Sequence, residues 1–83
     1  MSKQTCSEAD QKWMEYAMRL AEKAESQGEI PVGAVIIKEG EIVGEGWNQA
    51  ISLNDATAHA EIMAIRDAGA NLKNYRIIDT TMY

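Results

Sequence analysis

The chain is poor in cysteine, proline and histidine, with one of each, and it has no phenylalanine. A single cysteine, Cys6, excludes an internal disulfide and fits a reducing compartment, so we expect a cytoplasmic protein. No apolar run approaches the roughly 20 residues of a membrane helix. The segment from Met1 to Lys12 also lacks the apolar block of a secretory signal. These absences argue against a secreted disulfide scaffold and against a membrane partner.

Basic residues are also scarce. The chain has 8 Lys and Arg against 13 Asp and Glu, which gives a net charge of -5. Nucleic-acid binders usually carry a basic patch, because neutralising phosphates releases counterions and drives binding. Either the partner is not RNA, or the basic surface lies in sequence outside this chain.

What remains is ordinary globular composition, with 46% hydrophobic and 25% charged residues. A length of 83 residues allows one small domain at most. A chain of this size buries only about 60% of its unfolded surface, so its core is marginal without further support.

The first predicted element is a helix from about Ser7 to Ser26. Ser7 and Asp10 can both satisfy free backbone N–H groups in a first helical turn. Gly28 predicts its end, because glycine adopts the left-handed conformation at little cost. Five residues recur at helical spacing and predict one apolar face: Trp13, Ala17, Leu20, Ala21 and Ala24.

The pattern then changes to that of strands. The nearly unbroken apolar run Ile30–Ile37 predicts a strand that is buried on both faces. The polar stretch Lys38–Glu41 contains a turn glycine, and Ile42–Trp47 continues in extended style. Together they predict an antiparallel hairpin, followed by a loop over Gln49–Asp55.

A second helix is predicted over Thr57–Ala68, with Ile62, Ile65 and Ala68 at helical spacing and Gly69 at its end. A third strand is predicted over Arg76–Tyr83. The order helix, strand, strand, helix, strand indicates an α/β layer structure. Because that strand reaches the last residue without a stop and leaves an open edge, we expect a domain truncated after its third strand.

His59 and Glu61 are the residues with the clearest chemical potential. An imidazole is a good zinc ligand, and a carboxylate beside a zinc-bound water can carry protons. Such a pair arises by chance in roughly one chain in ten of this size. On a regular helix, residues two apart point about 200° apart, so the pair can converge only at an irregular first turn. The structural alternative is an exposed or hydrogen-bonded histidine.

Four blocks of sequence give this pair a context. They are residues 28–35 (GEIPVGAV), 44–48 (GEGWN), 57–64 (TAHAEIMA) and 74–83 (NYRIIDTTMY). In this order they closely resemble the tRNA adenosine deaminases of bacteria, in the cytidine-deaminase-like superfamily of zinc deaminases. The resemblance extends from about Trp13 to Tyr83. It implies a three-layer α/β sandwich with a mixed central sheet, of which residues 1–83 form the N-terminal part of a single domain.

The resemblance also implies the roles of individual residues. In this family one zinc ion per subunit is held by a histidine and by two cysteines of a Pro-Cys-x-x-Cys motif, which would follow Tyr83. The implied roles are His59 as zinc ligand, Glu61 as the catalytic proton shuttle, and Asn48, Ile30 and Ala58 as substrate-binding residues. The structural alternatives for the last three are, in the same order, a polar residue that closes the hairpin, a core strand residue and a spacer at the helix start.

The implied activity is hydrolysis of adenosine to inosine at the wobble position of a tRNA anticodon loop, by a homodimeric enzyme. One alternative is a deaminase of a free base or nucleoside, such as guanine or cytosine. Another is a non-catalytic, truncated remnant. Because two zinc ligands lie outside this chain, we expect the 83-residue polypeptide alone to bind zinc weakly and not to deaminate.

Overall fold

The computed structural model describes residues 8–74 and 76–83. Cys6 lies outside this part, and so does Ser7, the predicted first residue of the first helix. Within it, no helix is long and apolar enough to cross a membrane. The elements are α1 (Glu8–Ser26), β1 (Gly33–Lys38), β2 (Glu41–Trp47), α2 (Ala60–Leu72) and β3 (Thr81–Met82).

Helix α1 has the predicted apolar face. It ends at Ser26, and Gly28 follows in the left-handed conformation at φ 79°. The N–H groups of Gln27 and Gly28 bond to carbonyls of the last turn at 3.0 Å each, which satisfies the helix end. The residues buried on the face are Trp13, Ala17, Leu20 and Ala24, whereas Ala21 is only half-buried.

The predicted hairpin is confirmed, with β1 and β2 antiparallel from Gly33 opposite Trp47 to Lys38 opposite Glu41. Its first strand begins later than the apolar run suggests. Pro31 has no N–H to give to a ladder, and the Val32 N–H bonds locally to the Ile30 carbonyl at 2.9 Å. Ile30 is therefore 68% exposed and is not a buried strand residue.

The sheet has the order β2-β1-β3, and both strand pairs are antiparallel. Helix α1 packs on the face of β1 that carries Val35 and Ile37. Helix α2 packs on the opposite face, against Ala34 and Ile36. This confirms the predicted three-layer α/β arrangement. The described strands supply the antiparallel part of the expected mixed sheet, and no parallel pair occurs among them.

The prediction for α2 was wrong in its bounds and only partly right in its buried face. The helix begins at Ala60 and not at Thr57, because the residues before it form a turn. It continues through Gly69 to Leu72, where Lys73 ends it in the left-handed conformation at φ 52°. The predicted apolar residue Ile65 is 41% exposed. The buried residues of α2 are three alanines, of which Ala68 was predicted: Ala60, Ala64 and Ala68.

Alanines form this face because α2 lies unusually close to β2. A Cβ added to Gly46 would lie 2.5 Å from the Ala60 carbonyl oxygen, and one added to Gly44 would lie 2.5 Å from that of Ala64. Real Cβ atoms do not approach so closely, so only glycine fits on the strand. The close packing brings the end of β2 next to the start of α2.

The third strand is much shorter than predicted. The strand covers Thr81 and Met82, Tyr83 continues the pairing through two backbone hydrogen bonds with Val35, and residues 76–80 are not a strand. Asp79 has a left-handed backbone at φ 56°, which an extended ladder cannot accommodate. The apolar pattern alone did not reveal this interruption.

Candidate active site at the start of helix α2

His59 and Glu61 lie at the N-terminus of α2. His59 is the residue that caps the helix, with an extended backbone at φ -79° and ψ 155°, and its side chain makes no capping hydrogen bond. Both side chains are exposed. Because His59 stands outside the helix, the 200° separation of a regular helix does not apply to this pair. Its imidazole is therefore not used by the cap, and a carboxylate follows in the first turn.

Asn48 joins this site from the end of β2. Its side chain is buried, and its Oδ1 accepts the backbone N–H of Ala60 at 2.8 Å. The backbone N–H of Asn48 donates to the Val32 carbonyl at 3.1 Å. The first N–H groups of a helix have no partner within the helix, so Asn48 supplies one from another element. Since Oδ1 is engaged, the Asn48 amide has its NH₂ group to offer as a donor.

The two residues predicted to line a base pocket differ in exposure. Ala58 is fully buried, and its carbonyl accepts the Gln49 N–H at 2.8 Å, which closes the base of the loop between β2 and α2. Ile30 is largely exposed on the segment before β1. Val32 connects that segment to Asn48. Contact with a base stays a prediction for both residues.

The loop 49–55 is a compact turn. Its backbone N–H groups at Leu53 and Asp55 bond to the carbonyls of Gln49 and Ala50, both at 2.9 Å. The N–H groups of residues 51 and 52 are instead taken by a side chain from the segment before β1. The loop therefore has a fixed shape, and the side chains of Ile51 and Leu53 are 67% and 49% exposed on it.

The side chain that takes these two N–H groups is Glu29, which no sequence pattern singled out. Its Oε1 accepts from Ile51 at 3.1 Å and its Oε2 from Ser52 at 2.7 Å. Only 6% of Glu29 is exposed. Burial acts to raise the pKa of this carboxyl, but the hydrogen bonds from Ile51 and Ser52 outweigh it and the pKa is lowered. Partners 22 and 23 residues away leave no local sequence signal.

Asp55 shapes the other end of the loop. Its Oδ1 accepts from the Thr57 hydroxyl at 2.7 Å and from the Thr57 N–H at 2.9 Å. The pKa of Asp55 is lowered, first by the hydroxyl bond and then by the N–H bond. Arg66 lies 3.7 Å away as an exposed ion pair, which contributes little on its own. This turn sets the direction of the chain just before His59.

The described residues include one suitable zinc ligand, but they do not form a complete zinc site. Catalytic zinc sites use three protein ligands. Among residues 8–74 and 76–83, no group of three or more His, Cys, Asp or Glu side chains could hold a metal ion. His59 is suitable by chemistry and exposure, and Cys6 lies outside the described residues. The described part of the chain cannot hold a catalytic zinc ion by itself.

The fold is similar to that of two solved deaminases. A structure from a study of A-to-I editing by tRNA:A34 deaminases at the wobble position of transfer RNA superimposes with a TM-score of 0.85 at 37% identity, covering 88% of this chain and 53% of that one. The guanine deaminase of Bacillus subtilis superimposes with a TM-score of 0.84 at 40% identity, covering 88% of this chain and 47% of that one.

Curated relatives are more similar still in sequence. The tRNA-specific adenosine deaminase of Buchnera aphidicola subsp. Schizaphis graminum is 52% identical over 77 residues, which cover 93% of this chain and 51% of the relative. That of Haemophilus influenzae is 54% identical over 78 residues, which cover 93% of this chain and 45% of the relative. The chain thus spans about half the length of the curated relatives it matches.

The family model for the cytidine and deoxycytidylate deaminase zinc-binding region matches residues 7–83. That range contains His59, Glu61 and Asn48, which the structure brings to the start of α2. The chain therefore belongs to the cytidine and deoxycytidylate deaminase family.

Proposed function

We propose that residues 1–83 are the N-terminal part of a single zinc-dependent deaminase domain that hydrolyses adenosine to inosine at the wobble position of tRNA. The observation that carries this proposal is identity above 50% to two curated tRNA-specific adenosine deaminases over nearly the whole chain. The full-length protein would consist of this chain together with the half that its relatives have in addition.

His59 would hold the metal in the full-length protein, together with the two cysteines that the family resemblance implies. Bound zinc supplies an activated water in such enzymes. Glu61 would carry one proton from the attacking water to a purine ring nitrogen, and a second proton from the resulting hydroxyl group to the departing amine. The net reaction adds water to adenosine and releases ammonia, and it leaves a carbonyl oxygen where the amine was.

Asn48 would bind the nucleoside through its NH₂ group. Its Oδ1 is fixed by the Ala60 N–H, so the amide cannot turn its oxygen outward without breaking that bond. A donor held beside His59 and Glu61 suits a hydroxyl or ring acceptor of the nucleoside. Ile30 and Ala58 keep the predicted role of lining the base.

A groove on the α2 side of the sheet supports the proposal that this chain is one part of a larger domain. The groove has a volume of about 320 Å³, and its walls are mainly apolar. β3 borders it at the edge of the sheet. A further strand and helix would cover this surface and the free strand edge, which a complete domain rarely leaves open. The residues lining the groove are Ile36, Ile65, Ile77, Thr80 and Met82.

The proposed partner is a tRNA anticodon loop, bound by a homodimer in the cytoplasm. The net charge of -5 does not favour RNA binding by this chain alone. The basic residues that contact phosphates would then lie in the other half of the full-length protein.

The second candidate is a guanine deaminase. The specific observation in its favour is the Bacillus subtilis enzyme, which shares 40% identity and nearly the same TM-score as the tRNA:A34 deaminase structure. The curated relatives at 52% and 54% identity favour the tRNA activity instead. A non-catalytic remnant is the third alternative, and it requires that no zinc-binding half exists.

The direct test replaces Glu61 with Gln in the full-length protein. We expect the variant to retain zinc and to lose inosine formation by about 100-fold or more, the range of general acid–base contributions. Glu22→Gln, at an exposed position of α1, is the matched control and should leave the rate unchanged. Full activity of Glu61→Gln, or turnover of guanine without inosine in tRNA, would contradict the proposal.

A further inference from the structure

Glu29 is a nearly buried carboxylate that the reaction does not use. It joins two segments that both adjoin Asn48. One is residues 29–32, which contacts Asn48 through the Val32 carbonyl. The other is the loop 49–55, which is closed onto Ala58 at its base. The Glu29 carboxylate joins the first segment to the second by accepting the backbone N–H groups of Ile51 and Ser52.

The loop needs this carboxylate because of its own geometry. Residues 49–55 fold into a turn in which the N–H groups of Leu53, Asn54 and Asp55 have carbonyl partners within the loop. The N–H groups of Ile51 and Ser52 begin the turn and so lack such partners, as at the start of any helical turn. One carboxylate with an oxygen for each N–H satisfies both.

Asn48 and His59 are held independently of this contact. The Asn48 side chain is fixed by Ala60, and the loop base is closed by the bond from Gln49 to Ala58. Loss of the Glu29 contact would therefore make the outer part of the loop more mobile, and the loop would no longer be fixed relative to Ile30. It would leave the reacting groups at the start of α2 in place.

We propose that Glu29 is a positioning residue that fixes the loop 49–55 against the segment carrying Ile30, and thereby shapes the surface that receives the substrate. This inference rests on the proposed function. It assigns Glu29 to substrate binding and not to the chemical step. Substitution of Glu29 should therefore raise KM, because the loop would have to be ordered each time substrate binds.

The test uses the full-length protein with a tRNA anticodon stem-loop as substrate. Glu29→Gln retains the size of the side chain but leaves only one oxygen for two N–H groups. We expect KM to rise about tenfold while kcat stays within about twofold and zinc content is unchanged. Glu25→Gln, exposed near the end of α1, should match the wild type in all three. An unchanged KM in Glu29→Gln, or a parallel loss of kcat and zinc, would overturn the inference.

A second measurement separates this inference from the activity itself. Amide hydrogen exchange at Ile51 and Ser52 should be slow in the wild type and at least about tenfold faster in Glu29→Gln. Equal exchange in both proteins would show that Glu29 does not hold the loop, whatever the substrate. If Glu29→Gln does not fold, Glu29→Asp keeps the charge on a shorter side chain and should show a smaller rise in exchange and KM; wild-type values in it would overturn the inference. If the wild type makes no inosine while exchange behaves as expected, the proposed function fails and the loop contact stands.

Discussion

The Asn48 side chain accepts the backbone N–H of Ala60 at 2.8 Å, across 12 residues of sequence. This bond ties the end of the hairpin to the first turn of α2. It leaves the NH₂ group of Asn48 as the part of the amide that can meet a substrate. One side chain therefore supports the fold with its oxygen and, in the proposed function, binds the nucleoside with its nitrogen.

The two roles of Asn48 can be separated by substitution. Asn48→Asp keeps an acceptor for Ala60, and a carboxylate is favourable at a helix N-terminus. We expect it to fold with nearly wild-type stability but to raise KM for the tRNA stem-loop, because the donor is gone. Asn48→Ala should also lose about 1–3 kcal/mol of stability, since it leaves a buried N–H unpaired.

Thermal unfolding and steady-state kinetics on the same preparations distinguish the two variants. If Asn48→Asp binds substrate as well as the wild type, the NH₂ group has no role in recognition. If Asn48→Ala is as stable as the wild type, the bond to Ala60 does not support the fold.

The contact between β2 and α2 predicts a pair of opposite glycine effects. Gly46→Ala places a methyl group 2.5 Å from the Ala60 carbonyl oxygen and should destabilise the protein by about 1–3 kcal/mol or more. Gly69→Ala lies in α2 itself, where the added Cβ would be 3.7 Å from its nearest neighbour. It should stabilise by about 0.5–1 kcal/mol through helix propensity. Denaturant unfolding measures both, and equal effects from the two changes would contradict the close packing.

Acid stability should depend on Glu29. Its pKa is lowered from the ordinary value of 4.5 in the folded protein. Its stabilising contribution is therefore fully present above about pH 4.5 and is lost as pH falls through the lowered folded-state value. Glu29→Gln should be less stable than the wild type at neutral pH, and the difference should shrink in acid.

Asp55 also has a lowered pKa, so part of the acid dependence should persist in Glu29→Gln. Unfolding free energies measured between about pH 3 and pH 7 test this, with Glu25→Gln as the control. A difference between wild type and Glu29→Gln that stays constant across this range would mean that ionisation of Glu29 does not stabilise the fold.

The sequence predicted the architecture well where large apolar residues face the sheet. Trp13 and Leu20 mark the buried face of α1, and the run through Val35 and Ile36 marks β1. The buried face of α2 was partly misassigned, because Ala68 is buried as predicted but hydropathy favoured Ile65 over the smaller Ala64. The spacing between α2 and β2 decides that face, and spacing is a tertiary property that a local pattern does not contain.

The location of the candidate site follows in part from the sequence. Family resemblance predicted roles for His59, Glu61 and Asn48, and these residues lie together at the start of α2, while their roles stay predictions. No sequence pattern identified Glu29, because an acidic residue after a helix normally suggests an exposed loop. Its partners are backbone N–H groups of a distant turn, which have no side-chain signature.

Zinc binding should differ between the isolated 83-residue chain and the full-length protein. With His59 as the single ligand among the described residues, we expect zinc to bind weakly and substoichiometrically to the 83-residue polypeptide. The full-length protein should hold one zinc per chain. Metal analysis after dialysis compares the two, with His59→Ala in the full-length protein as the control that should lose zinc. Stoichiometric, tightly held zinc in the isolated chain would contradict the proposed ligand set.

The central proposal is tested most directly by incubating the zinc-loaded full-length protein with a tRNA anticodon stem-loop that has adenosine at the wobble position. The nucleosides released by digestion are then separated and measured, and free guanine is offered to the same preparation in parallel. We predict inosine at the wobble position, at a rate that Glu61→Gln reduces about 100-fold or more, and no turnover of guanine. Adenosine left intact by a fully zinc-loaded protein would contradict the proposal.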